Sequence, residues 1–189
     1  MYKWAITDKY ATFIGVTAAD ERKLSWDDAF MGDPLPSIAN WISPRLSQYL
    51  PGKAKAKKIG DSPGSSTLNL VSQHAVDVLK DIFDKHSSLY PVELEGADKP
   101  YYMVVAKMID ALDRVRSTGK IYSHQPNLFA PVETWVFKDS LIQDVDLFTV
   151  PDSVTCIYVS QKFKDRVVAT KLKGFCFKTE FWGGETFVS

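Results

Sequence analysis

Leu70 to Asp77, LVSQHAVD, and Tyr158 to Asp165, YVSQKFKD, decide how this chain folds. Each begins with β-prone apolar residues that end at a serine, each continues Val-Ser-Gln, and each places an aspartate five residues after the serine. A serine at that boundary can accept a hydrogen bond from a backbone N–H two or three residues on, which satisfies a donor that a helix start leaves orphaned. Ser72 and Ser160 are therefore predicted N-caps. Beyond Ser72, Ala75, Val76, Leu79, Ile82 and Phe83 recur at three- and four-residue spacing, with Asp77, Lys80, Asp81 and Asp84 opposite. That stripe predicts one amphipathic helix of about three turns. Beyond Ser160, Phe163, Val167 and Val168 give a shorter one.

Strands flank both helices. Residues 68–71 and Val154 to Val159 lead in, while Leu89 to Leu94 and Leu172 to Phe177 lead out. Pro91 predicts a strand start or an edge position for the first of these exits, because it has no N–H to give a ladder. Tyr101 to Met108, Val132 to Phe137 and Leu141 to Val150 are further β-prone runs. The first third is less regular, with Trp4 to Ile6 and Thr12 to Val16 as short strands among turn signals. Residues 53–66, rich in Lys and then in Gly, Ser and Pro, predict a mobile exposed connection. The fold class is α+β: a mixed, mainly antiparallel sheet covered by two or three helices, with two strand-helix-strand units and an irregular N-terminal third.

At 189 residues the chain is about one domain long. Residues 1–66 form the irregular part, 67–178 the regular core and 179–189 a tail. Its 45% hydrophobic and 24% charged content is that of a folding globular protein. Met1 to Phe13 interleaves charges with apolar residues and resembles no export signal, and no run approaches the roughly 20 apolar residues of a membrane span. A soluble protein that does not act on membranes is expected. Cys156 and Cys176 lie in apolar, β-rich segments and read as reduced, buried thiols.

Catalytic chemistry finds little support. His74, His86 and His124 fit no metal spacing, and neither a nucleophile elbow nor a phosphate-binding glycine loop is present. His74 with Asp77 is the one pair at helical spacing; a solvated helix face explains it as well. Asp113 and Ser117 read as braces for the turn after Tyr101 to Met108. No catalytic, metal or cofactor-binding residue is assigned. Charge is neutral in sum, 23 basic against 23 acidic residues, but patched in detail. Arg45 to Lys58 and Lys162 to Lys178 are basic, whereas Asp20 to Asp33 and Glu133 to Asp152 are acidic. Such patches can steer a charged partner. The basic ones, 45–58 and 162–178, would suit nucleic acid or another protein.

One succession carries more. Leu70-Val71-Ser72 opening a helix, Tyr90-Pro91-Val92-Glu93-Leu94, Tyr101-Tyr102, Ala111-Leu112-Asp113 with Ser117, Asp146-Leu147-Phe148, Tyr158-Val159-Ser160 and Leu172-Lys173-Gly174-Phe175-Cys176-Phe177 stand in one order. Together they resemble immunity protein family eleven of bacterial polymorphic toxin systems, over Leu68 to Phe177. Where family members often follow Phe148 with a basic residue, Thr149 stands here. The resemblance implies a small bacterial cytoplasmic protein that binds a cognate secreted toxin and neutralises it by occlusion, without catalysis and without a cofactor. Nucleic acid is the less favoured partner, and self-association is left open. The family pattern then supplies structural residues: Ser72 and Ser160 as caps, Pro91, Asp113, Ser117 and Phe148, Gly174 permitting a turn, and Phe175 and Phe177 alternating along a strand. Toxin-facing residues are expected in the aromatic and acidic stretches, at Trp26, Trp41, Asp139, Asp144, Asp146 and Asp152.

Overall fold

The computed structural model describes residues 1–7, 9–24, 35–52, 54–65, 69–123 and 125–179. Two sheets carry the fold. The four-stranded one runs β10 (Leu147–Val150), β11 (Ser153–Val159), β1 (Tyr2–Ala5), β12 (Cys176–Lys178), antiparallel throughout. The six-stranded one runs β4 (Gly64–Ser65), β2 (Thr12–Gly15), β3 (Arg45–Gln48), β6 (Ser87–Leu94), β7 (Tyr101–Ala106), β5 (Leu70–Ser72). It is antiparallel except at β2–β4 and β3–β6. A hairpin, β8 (Thr118–Tyr122) with β9 (Gln125–Thr134), stands apart. The described helices are α1 (Ala18–Leu24), α2 (Gln73–Val78), α3 (Lys80–His86), α4 (Asp139–Ile142) and α5 (Gln161–Ala169). The α+β class expected from the sequence is the observed one.

Side-chain alternation along the strands sorts the apolar residues onto two faces. On one face Val71, Val104, Trp4, Leu147, Ile157, Val159 and Phe177 meet Ala75, Leu79, Ile82, Phe83, Phe163 and Val167 of the helices in a single cluster shared by both sheets. On the other face of the six-stranded sheet Phe13, Leu46, Leu70, Tyr90, Tyr101 and Met103 cluster. On the other face of the four-stranded sheet Phe148, Val150 and Tyr158 pack with Trp135 and Phe137. The chain leaving β7 joins the sheets: Thr149 donates its N–H to the Lys107 carbonyl at 3.0 Å, and Ile109 donates to the Thr149 carbonyl at 2.9 Å.

The two serine-capped stretches are structural twins. In the first, β5 and β6 flank β7 and are antiparallel to it, and α2 and α3 connect them. In the second, β11 and β12 flank β1 in the same way, and α5 connects them. The register agrees as well, since Val71 lies opposite Tyr102 and Val159 opposite Tyr2. Only the source of the central strand differs. In the first unit it follows the flanking pair, and in the second it arrives from the N-terminus.

Several local expectations are corrected. The helix after Ser72 breaks at Leu79, whose φ of −108° and ψ of 18° leave the helical range while its side chain stays fully buried; burial in the shared core overrides the uniform helical pattern. Pro91 lies inside β6, opposite Tyr102, and not at its start. The ladder to β3 reaches back only as far as Glu93, so the missing N–H costs no bond on that side. Leu141 and Ile142 belong to α4, and the strand after them begins at Leu147. Residues 172–175 form a turn before β12, with Gly174 at φ +93°. Residues 60–65 are buried, not an exposed connection.

Twin aspartate–serine caps and the candidate interaction surface

Ser72 and Ser160 cap their helices as expected. Ser72 Oγ accepts from the Ala75 N–H at 3.2 Å and Ser160 Oγ from the Phe163 N–H at 3.1 Å. Each hydroxyl also donates to an aspartate: Ser72 to Asp61 at 2.8 Å and Ser160 to Asp146 at 2.7 Å. The backbone repeats the pairing, because the Ser72 N–H donates to the Asp61 carbonyl and the Ser160 N–H to the Asp146 carbonyl. A lysine closes each arrangement, Lys99 on Asp61 at 3.0 Å and Lys162 on Asp146 at 2.8 Å. The likeness extends along the helices. Gln73 donates to Asp77 and accepts from the Tyr102 hydroxyl, while Gln161 donates to Asp165 and accepts from the Tyr2 hydroxyl.

The twins differ in how firmly the carboxylate is enclosed. Asp61 also accepts the Lys173 N–H at 3.0 Å, and His74 Nδ1 stands 3.5 Å away. Burial pushes its carboxyl up, but the bonds from the Lys173 backbone, Lys99 and Ser72 outweigh burial and hold it below its ordinary value. Asp146 shows the same balance, burial against Lys162 and Ser160, with the same outcome. Beside it lies His86, 6% exposed, whose Nε2 accepts from the Asp146 N–H at 3.4 Å. Burial first and then the neighbouring Lys85 lower its basicity, partly opposed by Asp146, with Lys107 and Lys162 also facing it.

The residues expected to face a partner separate sharply. Trp26 lies outside the described residues. Trp41 is half-buried; its indole donates to the Pro91 carbonyl at 2.8 Å and meets the Tyr90 ring edge-on at 4.9 Å, so it anchors the second cluster. Asp146 is committed to its cap. Asp152, its side chain wholly enclosed, accepts from Arg114 through both oxygens and from the Phe129 N–H. Asp139 and Asp144 alone among these acids stand exposed, the first in the opening turn of α4. Asp144 offers its carbonyl to Lys85.

The family-pattern residues occupy structural positions. Asp113 accepts from the Val115 and Arg116 N–H groups, and Ser117 exchanges bonds with the backbone of Val136, bracing the turn between β7 and β8. Phe148 is fully buried against Phe137 and Tyr158. Phe175 stacks on Trp4 at 4.9 Å, and Phe177 meets Phe163 edge-on. A Cβ on Gly174 would fall 2.3 Å from the Ser62 carbonyl, so this turn admits only glycine. Thr149 turns its hydroxyl toward the carbonyls of Ser153, Val154 and Cys156, where the β10–β11 register shifts.

Of the histidine–carboxylate candidates, His74 turns to Asp61, Asp77 takes Gln73, and Asp113 takes Arg116, so each has a partner of its own. Among the described residues no three or more of His, Cys, Asp and Glu group so as to hold a metal ion. No described helix is long and apolar enough to cross a membrane. Asp61 is the residue that sequence reasoning missed, hidden in a Gly-Ser-Pro run whose composition reads as loop.

No curated protein matches the chain. The pattern of the immunity protein family Imm11, however, matches residues 42–180, which takes in both twin caps and nearly every element after β2. With most of its length covered by that pattern, this chain belongs to the Imm11 immunity protein family.

Proposed function

We propose that the protein protects its bacterial producer by binding a cognate secreted toxin in the cytoplasm and occluding it, without making or breaking a bond. The observation that carries this reading is family membership over residues 42–180. Its physical support is the division of labour among the charged groups. Asp61, Asp146, Asp152 and Arg114 are consumed in holding the fold, which leaves exposed charge and the exposed Tyr49 ring for recognition. Of the acids expected to face a partner, Asp139 and Asp144 are the two that stand in solvent, and they are assigned to a basic region of the toxin. An interface of about 1,200–2,000 Å² with a few desolvated anchors suffices for such inhibition.

The test is co-expression with the toxin domain encoded by the adjacent gene, followed by co-purification. The pair should elute together, and cells carrying both should outgrow cells carrying the toxin alone. Equal killing with and without the protein, or turnover of a substrate by the protein alone, would overturn the reading. The nucleic-acid alternative has one observation in its favour. Gly60, just past the first basic segment, lies against the Lys173 carbonyl of the second. Against it, Lys162 and Arg166 of that second segment are paired with Asp146 and Asp81.

A further inference from the structure

Most cations on the helical face have carboxylate partners: Lys80 with Asp84, Lys162 with Asp146, Arg166 with Asp81. The end of β3 and the segment after it are different. Tyr49 is 52% and Leu50 44% exposed, and Pro51 follows in solvent. With Tyr10, Ala11, Thr12, Ala54, Lys55 and Lys57 they wall a cleft of about 170 Å³. Between Arg45 and Lys58 the sequence holds five basic residues and no acidic one. Among the described residues, none of the ion pairs involves Lys55 or Lys58.

This lysine segment is held, not loose. The Gln48 side-chain amide donates to the Lys57 carbonyl at 2.9 Å and accepts the Lys57 N–H at 2.8 Å. The Ala11 N–H donates to the Lys58 carbonyl at 3.0 Å, and the Tyr49 N–H to the Thr12 carbonyl at 2.7 Å. Two strands therefore fix the backbone from which the lysines project, so less ordering entropy remains to be lost when something binds. Gly60, which follows the segment, packs against both the Tyr10 ring and the Lys173 carbonyl.

We propose that this cleft is the docking site for an acidic segment of the protein partner, with one apolar side chain entering between Tyr10 and Tyr49 and carboxylates settling on Lys55 and Lys58. The occupant follows from the chemistry. At about 170 Å³ the cleft is smaller than the roughly 300–1,000 Å³ of small-molecule sites and suits a single large side chain. The exposed Tyr49 ring beside the half-buried Tyr10, with lysines around them, matches the desolvated anchor and polar rim of a protein interface. Tyr49, Leu50, Pro51, Ala54 and Ala56 interleave apolar surface with the lysines, which lowers the density of positive charge that a nucleic-acid backbone needs.

The proposal rests on the toxin-binding reading, and the experiment separates the two. The probe is the purified toxin domain encoded by the adjacent gene, followed by surface-based kinetics at low and high salt. Tyr49→Ala should weaken binding by about tenfold or more, chiefly through faster dissociation. Lys55→Glu with Lys58→Glu should slow association by about tenfold at low salt, with the loss shrinking as salt screens it. The matching pair of Arg substitutions should bind as the parent does. All these positions are exposed, so unfolding midpoints should not move, and a shifted midpoint would send the test to Gln48→Glu, which breaks the clamp to the Lys57 carbonyl. Failure of the parent protein to bind the domain would overturn both readings. Binding by the parent that all variants retain within about twofold would overturn this one alone. A labelled single-stranded DNA oligonucleotide that binds tightly and is lost with the Glu pair, while toxin binding is unaffected, would reassign the cleft to nucleic acid.

Discussion

Replacing Asp61 by asparagine tests the claim that its carboxylate, more than its twin's, holds the fold together. Oδ2 of Asp61 takes the Lys173 N–H at 3.0 Å, while Oδ1 takes the Ser72 hydroxyl at 2.8 Å and Lys99 at 3.0 Å. Asparagine can keep one side of this arrangement, but its NH₂ must then face a donor on the other. One buried donor loses its acceptor, at about 1–3 kcal/mol, and the charge-assisted bond to Lys99 weakens, so the total is about 2–4 kcal/mol. At Asp146 the same change leaves Ser160 an acceptor, and the other oxygen's partner, Lys162, has a side chain 60% exposed that swings into water. The cost there is about 1 kcal/mol or less. Urea unfolding followed by tryptophan fluorescence measures both, with the slope against urea unchanged. Because the Asp61 carboxyl is held below its ordinary value, its contribution is present above the unfolded value near pH 4 and is lost as pH falls through the folded one. The gap between parent and Asp61→Asn should therefore narrow below about pH 4. An Asp61→Asn protein within about 0.5 kcal/mol of the parent, or one less perturbed than Asp146→Asn, would refute the reasoning.

Asp152→Lys should cost about 3–5 kcal/mol, since it places a cation against Arg114 and strips the Phe129 N–H of its acceptor; native circular dichroism at unchanged stability would contradict this. Asp139→Lys with Asp144→Lys should change stability by less than about 0.5 kcal/mol while weakening toxin binding, and calorimetric titration that finds the parent affinity would remove these two acids from the interface. Gly174→Ala should yield little folded protein, because a Cβ meets the Ser62 backbone and φ is positive; ordinary soluble yield with a parent-like melt would show that the turn can move. His86 is buried and its basicity lowered, so it favours the folded state above its unfolded value near pH 6.5, and that stability is lost as pH falls through the lower folded value. His86→Gln should flatten the decline in melting temperature between about pH 7 and pH 5, and an unaltered slope would exclude His86 as its source.

What the sequence discloses and what it hides divide along the range of the interactions. Ser72 and Ser160 are legible because a cap acts within three residues. Their aspartates lie 11 and 14 residues upstream and reach them only after the chain folds back, so no local pattern marks Asp61, and Asp146 reads as part of an acidic surface. The echo between the two stretches is visible in Val-Ser-Gln and the later aspartate. That it extends to three-stranded units is not, because the central strand of the second unit is β1, paired with residues at the far end of the chain.

The run at 60–65 shows why composition misleads here. Gly, Ser and Pro report an irregular backbone, and irregular backbone is usually exposed because its polar groups need water. In this chain the Ser62 N–H donates to the Lys173 carbonyl, the Gly64 N–H to the Ala11 carbonyl, and Asp61 serves both Ser72 and Lys173, so the run can be buried with those groups satisfied. Small residues are what permit it, since a Cβ on Gly60, Gly64 or Gly174 would collide with a neighbour at 3.0 Å or less. Charge is hidden in a similar way. Sequence counts the acids of 133–152 but not their bonds, and pairing removes Asp146 and Asp152 from the surface. The lysines at 55 and 58 keep their charge facing solvent, because the strands that hold their backbone bring no carboxylate with them. Recognition by this protein should therefore follow the charges that the fold leaves unspent, and not the charges that the sequence makes most numerous.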